Sequence, residues 1–439
     1  MSVSRESRVA DGRFASRGTV EALAGFLALA LAMGVGRFAY TPMLPPMLDG
    51  SSLSLSGAGF VASANFAGYL AGALLATRSF VARRRVLWLR VGLAATVVTT
   101  AMMAIDAGTW GWSVVRFVAG VASAFVLVFA SAVVFASAAR EGRPMLGALL
   151  YAGVGFGIVA STMLIDFGRD AGWGYSPLWA SLAALALLLA IAPWRRLDAP
   201  PTTISSAAAR EPAHACADRR ALGRLVWSYG CLGFGYIITA TFIVVIARGL
   251  PDGRTVEFWT WMIVGIAGAP SNWFWARVAQ RVGVYPAIVA AFVLEAIGVA
   301  LVAIGQQAIA LYVGAALLGG TFMAITALGL AQARSLAPDR PDETIARMTV
   351  AFSLGQIVGP AIGGWMAERS GSFVAPSWIA VVVLVIGAAL AAAAAWTMQC
   401  RVETPRPGGS LRTLHTLRNT AFLSTKTTAR VETPHSTAA

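Results

Sequence analysis

The sequence predicts an all-α membrane protein of twelve transmembrane helices, built as two parallel six-helix repeats. Three observations carry this. The chain of 439 residues is 57% hydrophobic and only 12% charged, with a mean hydropathy of +0.70, whereas an average soluble domain is about one-quarter charged. Its apolar residues fall into blocks of about twenty, each able to cross ~30 Å of hydrocarbon at 1.5 Å per residue, which favours helices over alternating barrel strands. A weak self-similarity at an offset of about two hundred residues relates the first six blocks to the last six.

Charged and Pro/Gly-rich punctuation places the spans at 20–46, 57–77, 86–105, 109–138, 145–165, 176–194, 224–247, 256–276, 284–305, 308–333, 344–367 and 373–398. Arg5, Arg8, Arg13 and Arg17 precede the first span as in a signal peptide. That run is long enough to span and eleven others follow it, so it reads as an uncleaved helix. The second and third spans are parted by the basic cluster Arg78 to Arg85, the fourth and fifth by Arg140 to Pro144, the eighth and ninth by Arg277 to Gly283. Residues 195–223, RRLDAPPTTISSAAAREPAHACADRRALG, form a flexible linker between bundles at 20–194 and 224–398. The N-tail, 1–19, and the C-tail, 399–439, which contains RVETP twice, read as solvated, the latter as disordered.

Orientation follows from Lys and Arg, because basic loops resist translocation. With the N-terminus inside, the inner segments hold 27 of the 34 basic residues and the outer loops hold four, Arg169, Arg248, Arg254 and Arg369. Both termini are therefore expected in the cytoplasm, with the chain in the plasma (inner) membrane of a bacterium. This distribution also accounts for the formal charge of +14 without a nucleic-acid partner. Trp259 and Trp261 open the eighth span and Trp273 and Trp275 close it, the spacing of two interfacial belts or of packing residues.

Composition excludes several chemistries. Cys216, Cys231 and Cys400 are too few and too scattered for a disulfide framework, and none stands at metal-ligand spacing from His214, His415 or His435, so no metal site is expected. The sole lysine, Lys426, lies outside any Gly-rich loop, which excludes a P-loop. No cofactor is expected. The spans contain no histidine and one deep carboxylate, Glu295, which argues against a membrane-embedded enzyme.

The internal repeat aligns Met33-Gly34-Val35-Gly36 with Leu232-Gly233-Phe234-Gly235, Ala67-Gly68 with Ala267-Gly268, Gly120 with Gly320, and Gly153 and Gly157 with Gly355 and Gly359. Six spans is an even number, so both halves enter the membrane with one orientation, as in transporters that rock about a central site. Three motif traces then make the chain resemble the major facilitator superfamily. Arg116-Phe-Val-Ala-Gly120 is similar to its RxxQG signature, with Ala119 in the Gln position. Ala276-Arg-Val-Ala-Gln-Arg-Val-Gly283 resembles its GxLADRxG loop, with Gln280 in the Asp position, and Gly355-Gln-Ile-Val-Gly-Pro-Ala-Ile-Gly-Gly364 matches the GxxxGPxxGG pattern of its antiporters, displaced from span five to span eleven. MGVGRFAYTPMLP in span one and LGFGYIITATF in span seven look most like the YbfB/YjiJ-type branch. The resemblance implies that spans one, two, four, five, seven, eight, ten and eleven line a cavity, and that Arg78, Arg83, Arg84, Arg85, Gln280, Arg281 and Gly283 belong to cytoplasmic gating loops.

Arg37 is the first candidate, because a guanidinium at a helix centre costs about 2.5–3.5 kcal/mol on insertion scales and must face a cavity or a partner. By helical rise Arg37 and Arg116 share one depth, and the expectation is that they bind a carboxylate or other oxyanion in bidentate fashion. The alternative is that Arg116 braces helix packing and that Arg37 pairs with Asp106 or Asp166. Tyr40, Asn65, Tyr69, Tyr151, Tyr236, Thr239 and Gln356, with Asn272, are polar groups that orient a solute or bond a neighbouring helix. Arg116 and mid-membrane Glu295 are proton-coupling candidates, Glu295 alternatively being structural. Gly34, Gly36, Gly153, Gly155, Gly157, Gly355, Gly359 and Pro360 read as close-approach or bend positions.

The leading expectation is a monomeric, proton-coupled secondary transporter of a small solute, anionic in its sharpest form, working by alternating access. Drug or metabolite efflux by an antiporter and a transporter-like sensor or enzyme are the alternatives.

Overall fold

The computed structural model describes residues 16–143, 145–197, 219–305 and 307–403. Most of the N-tail, the middle of the linker and most of the C-tail lie outside the described residues. Residues up to Ala395 form one compact unit, and from Trp396 onward only the last turns of the final helix are described.

Twelve long helices coincide with the twelve predicted spans. They are α1 (Arg17–Gly50), α2 (Leu55–Ala76), α3 (Arg85–Met102), α4 (Gly108–Arg140), α5 (Met145–Asp170), α6 (Tyr175–Arg196), α7 (Arg219–Arg248), α8 (Gly253–Val282), α9 (Val284–Ile304), α10 (Ala308–Leu336), α11 (Pro341–Ser370) and α12 (Val374–Glu403). Among the described residues, eleven are long and apolar enough to cross a membrane. The other, α8, has 30 residues but carries Glu257, Ser271, Asn272 and four tryptophans, which lower its hydropathy. Within each repeat, short connections make successive helices run in opposite directions. We call the end where α1 begins the near face and the end where it finishes the far face.

Local chemistry sets the boundaries. The Ser16 and Ser54 hydroxyls accept from the backbone N–H of Thr19 at 3.3 Å and of Gly57 at 3.1 Å, which satisfies first-turn donors of α1 and α2. α11 begins on Pro341 and stops at Gly371, whose φ of 67° suits glycine.

α1 is not one regular helix. It is α-helical over Arg17–Leu29, π-helical over Ala30–Phe38, and α-helical again over Tyr40–Gly50. The wide turns coincide with Gly34 and Gly36 and end just before Pro42, which has no N–H to return to the preceding turn. The break puts Arg37 at mid-helix, with its backbone carbonyl available to another donor.

Small residues build the same crossings in both repeats. A Cβ on Gly34 would fall on the Cα of Gly157, and one on Gly153 would meet the Phe26 carbonyl, so α1 and α5 touch backbone to backbone. α7 and α11 meet in the same way, Gly233 lying against the Phe352 carbonyl and Gly355 against Gly230. In the α2–α4 crossing Gly120 sits against the Asn65 carbonyl. In the α8–α10 crossing Gly319 sits against the Val264 carbonyl, while a Cβ on Gly320 would meet nothing within 4 Å. The structural counterpart of Gly120 is therefore Gly319, one residue from the glycine that the sequence aligns with it. Between the repeats, α2 meets α11 where Gly59 approaches the Pro360 carbonyl, and α5 meets α8 where Gly155 approaches Gly265.

The four tryptophans of α8 divide their roles. Trp259 and Trp273 are exposed, as membrane belts require, whereas Trp261 and Trp275 are buried and the Trp275 indole donates to the Gly320 carbonyl at 2.8 Å. Alternate tryptophans therefore serve packing.

Candidate functional site

The far face is closed by charge. Arg248 at the end of α7 donates to Asp49 at the end of α1, at 2.6 Å, and Arg169 at the end of α5 donates to Glu257 near the start of α8, at 2.5 Å. Arg254 pairs with Asp170 and lies 3.9 Å from Asp166. The Ser54 hydroxyl and Ser56 N–H donate to the Glu368 carboxylate at 2.8 and 2.6 Å, joining the start of α2 to the end of α11. One layer deeper, the Thr41 hydroxyl donates to the Ala240 carbonyl at 2.8 Å. Among the described residues, every ion pair that joins the two repeats lies at this face.

On the near side of that seal lies a cavity of about 140 Å³, against roughly 10–15 Å³ for one water. Its lining comes from α1, α2, α4, α5, α7, α8, α10 and α11 and runs from Arg37 and Gln356 at the seal to Leu330 and Thr349 toward the near face. α3, α6, α9 and α12 contribute no lining residue.

Arg37 forms the ceiling. It is buried, its Nη2 donates to Gln356 Oε1 at 3.0 Å, and its guanidinium lies 4.6 Å from the Phe66 ring centre and 4.5 Å from that of Tyr69. Its Nε has no described hydrogen-bond partner, and no carboxylate pairs with it among the described residues. Two ring faces and an amide oxygen therefore stand against a full positive charge in a low-dielectric site. Asp166, expected as an alternative partner, lies beside Arg254, and Asp106 accepts from the Gly108 N–H at 3.2 Å.

Gln356 is itself held in place, because its Nε2 donates to the Tyr236 hydroxyl. The Tyr236 ring stacks between Phe322 and Phe352, at 5.3 and 5.9 Å and 9° to each. The cavity thus presents a fork of N–H groups above a flat aromatic wall.

Arg116 backs this arrangement from outside the cavity. Its Nη1 donates to the Gly36 carbonyl at 2.6 Å and its Nη2 to the Arg37 carbonyl at 3.0 Å, and its guanidinium lies over the Tyr40 ring. Both carbonyls belong to the π-helical stretch, and Arg116 gives each of them a charged donor. Its second candidate role, binding solute directly, would require two of its N–H groups to leave these bonds.

Of the candidate binding residues, Arg37, Tyr69, Tyr151, Tyr236 and Gln356 line the cavity, as does Asn272. Tyr40, Asn65, Arg116 and Thr239 do not. The Tyr40 hydroxyl donates to the Ala58 carbonyl at 3.0 Å, Asn65 Nδ2 donates to the Arg116 carbonyl at 2.9 Å, and Thr239 is buried on α7. Glu295 is fully buried on α9 away from the cavity and accepts from the Thr321 hydroxyl. Arg78, Arg83, Arg84, Gln280 and Arg281 are exposed at the near face, Arg85 is part-exposed there, and Gly283 turns the chain with φ of 94°.

The lining also includes Tyr229, Phe322, Thr326, Thr349 and Phe352, which were not singled out from sequence. A signal existed. Tyr229 and Tyr236 are seven apart on α7, and Thr349, Phe352 and Gln356 follow the same helical period on α11, so each set shares a face. Among the described residues no group of His, Cys, Asp and Glu is placed to hold a metal.

Comparison with known proteins agrees with this architecture. A family model described as "Uncharacterised MFS-type transporter YbfB" matches residues 29–392. Among solved structures, a mutant of the nucleoside transporter NupG superposes with a TM-score of 0.66 at 14% identity, covering 86% of this chain and 99% of that one. NupG without that change gives 0.62 at 15% identity, covering 89% and 100%. At those identities the likeness concerns the fold. No curated protein matches the chain in sequence.

Proposed function

The chain belongs to the YbfB-type family of MFS transporters, integral membrane proteins that move small molecules, and from that premise we propose that it carries a small organic anion through the Arg37 cavity by alternating access. One observation carries the reading: a buried guanidinium faces a closed-topped cavity with neutral partners and a free Nε. A carboxylate or similar oxyanion supplies the missing charge and accepts two parallel N–H bonds. The stacked rings of Tyr236, Phe322 and Phe352 favour a solute with a flat or apolar body.

The conformation supports the transport cycle. Ion pairs between the repeats gather at the far face while the cavity lies on the near side, so the far face is shut. The excess of arginine at near-face connections supports reading that face as cytoplasmic. Opening then requires the far-face pairs to part as the repeats rock.

A thermal-shift panel on purified protein tests the solute class, because a ligand at about 100 times its Kd adds about 2.7 kcal/mol of apparent stability. Aromatic and aliphatic monocarboxylates are expected to raise the unfolding temperature, and to lose that effect in Arg37→Gln. Stabilisation by neutral nucleosides or cationic drugs alone would overturn the anionic reading. The aromatic wall favours a neutral planar solute as second reading, and NupG, a nucleoside transporter by name, shares the fold.

A further inference from the structure

A group that gains and loses a proton where the two repeats meet can couple protons directly to a gate between them. Neither sequence candidate stands there, since Glu295 lies on α9 against Thr321 and Arg116 is bound to the carbonyls of α1. Glu257 does. It sits one turn into α8 and is nearly fully buried. It accepts from Arg169 of α5 at 2.5 Å and lies 3.8 Å from Arg248 of α7, which also holds Asp49 of α1 at 2.6 Å. Four helices from both repeats thus converge on one carboxylate. We propose that Glu257 is a proton-binding site that couples protons to the far-face gate, its charged form latching the gate and its neutral form releasing it. The inference rests on the alternating-access reading above.

The charges explain why one proton suffices. Arg169, Arg248, Glu257 and Asp49 make a neutral quartet. A proton from the far-side solution converts the Glu257 carboxylate into a neutral acid, while both guanidiniums stay charged. Arg169 then loses its carboxylate partner on α8, which leaves α5 and α8 joined by the more exposed Arg254–Asp170 pair, and the quartet carries one uncompensated positive charge in a partly buried place. Water reaching the parted face relieves that charge, so protonation favours the far-open form. Deprotonation draws the helices together again.

Other groups around Glu257 are otherwise engaged. Arg254, on its own helix, is held by Asp170 and lies near Asp166, both on α5. α10 brings Leu311 and Tyr312 to the cluster formed with Val256 and Ala247 beside it. The one acid of α9 is Glu295, bonded to Thr321. Within the quartet, Asp49 is about half exposed and Glu257 is not, so a proton on Asp49 removes far less attraction.

Distance measurement by double electron–electron resonance tests this without any solute. Spin labels at Ala171→Cys and Ser372→Cys, exposed or part-exposed far-face positions in opposite repeats, are placed in a background with Cys216, Cys231 and Cys400 replaced by serine. The full chain is studied in phosphatidylcholine nanodiscs. The expected result is a short distance at alkaline pH that shifts to a longer one in mild acid, with Glu257→Gln long at both. A Glu257→Gln protein that keeps the pH response of the parent overturns the proposal, because the proton then acts elsewhere. If that variant does not fold, Arg169→Gln decides, since it removes the same bond: a long distance at alkaline pH supports the latch and a short one overturns it. The solute panel above succeeds or fails independently.

Discussion

Arg37 on α1 donates to Gln356 on α11 at 3.0 Å, so the bend of the first repeat is tied to the second through the roof of the cavity. The amide oxygen occupies one arm of the guanidinium fork and leaves Nε free. Arg37→Lys keeps the charge but loses the fork and its stacking on Tyr69 and Phe66. Charge-assisted hydrogen bonds contribute about 1.5–3 kcal/mol each, so the expected outcome is a loss of affinity on the order of tenfold or more. Titration of the best solute of the panel measures it; unchanged binding in Arg37→Lys rejects the bidentate contact.

Arg116 acts on the same bend from behind. Removing its guanidinium strips a charge-assisted hydrogen bond from each of the buried carbonyls of Gly36 and Arg37, at about 1.5–3 kcal/mol each. Arg116→Gln is expected to unfold at clearly lower temperature in detergent, with Arg116→Lys recovering part of the loss because an ammonium can reach only one carbonyl well. If Arg116 bound solute directly, Arg116→Lys would instead change affinity while leaving stability intact. Both readouts come from one set of melting curves with and without solute.

The number and places of the helices were legible because hydropathy and basic loops follow directly from the cost of placing charge in hydrocarbon, whereas several ends run on past the apolar stretch, as α8 does to Val282 from an expected 276. Arg37 was legible for the same reason, since a lone guanidinium in an apolar span demands an explanation. What escaped were features whose signal is shape. Phe322 and Phe352 read as ordinary apolar residues until stacking placed Tyr236 between them. The Gly34-Val35-Gly36 pair and Pro42 marked an irregular stretch, but nothing in the sequence said that it would widen to a π-helix whose carbonyls Arg116 would fill. Arg169 and Arg248 read as loop charges in the sequence, because their pairings across the repeats, Arg169 with Glu257 and Arg248 with Asp49, join helix ends 88 and 199 residues apart.

Glycine positions separate repeat from coincidence. A Cβ at Gly120 would press on the Asn65 carbonyl and on the Tyr69 N–H, both backbone, so Gly120→Ala is expected to destabilise by about 1–3 kcal/mol through overpacking. At Gly320 the same methyl group meets nothing within 4 Å. Gly320→Ala should be neutral or gain up to about 1 kcal/mol from helix propensity. Chemical or thermal unfolding of the two variants measures the difference, and equal destabilisation of both would mean that α8 and α10 cross at Gly320 after all.

At the near face the start of α1 is tied to the α4–α5 connection by Glu141, whose carboxylate accepts from the Ser16 hydroxyl at 2.9 Å and from the Gly18 N–H at 2.6 Å. These bonds, with Arg143 nearby at 3.6 Å, hold its carboxyl below the usual carboxylate range, the Ser16 bond contributing most. A depressed value means that the tie is fully present above the unfolded-state pKa, about 4.3 for glutamate, and is lost as pH falls through the lower folded-state value. The group is partly exposed to solvent at the end of α4, so the effect is local fraying of α1. Hydrogen exchange at the Gly18 amide is expected to be slower in the wild type than in Glu141→Ala at neutral pH, and the two rates should converge in strong acid. A difference that persists below that range would show that a neutral carboxylic acid holds α1 equally well, and that charge is not what fixes its start.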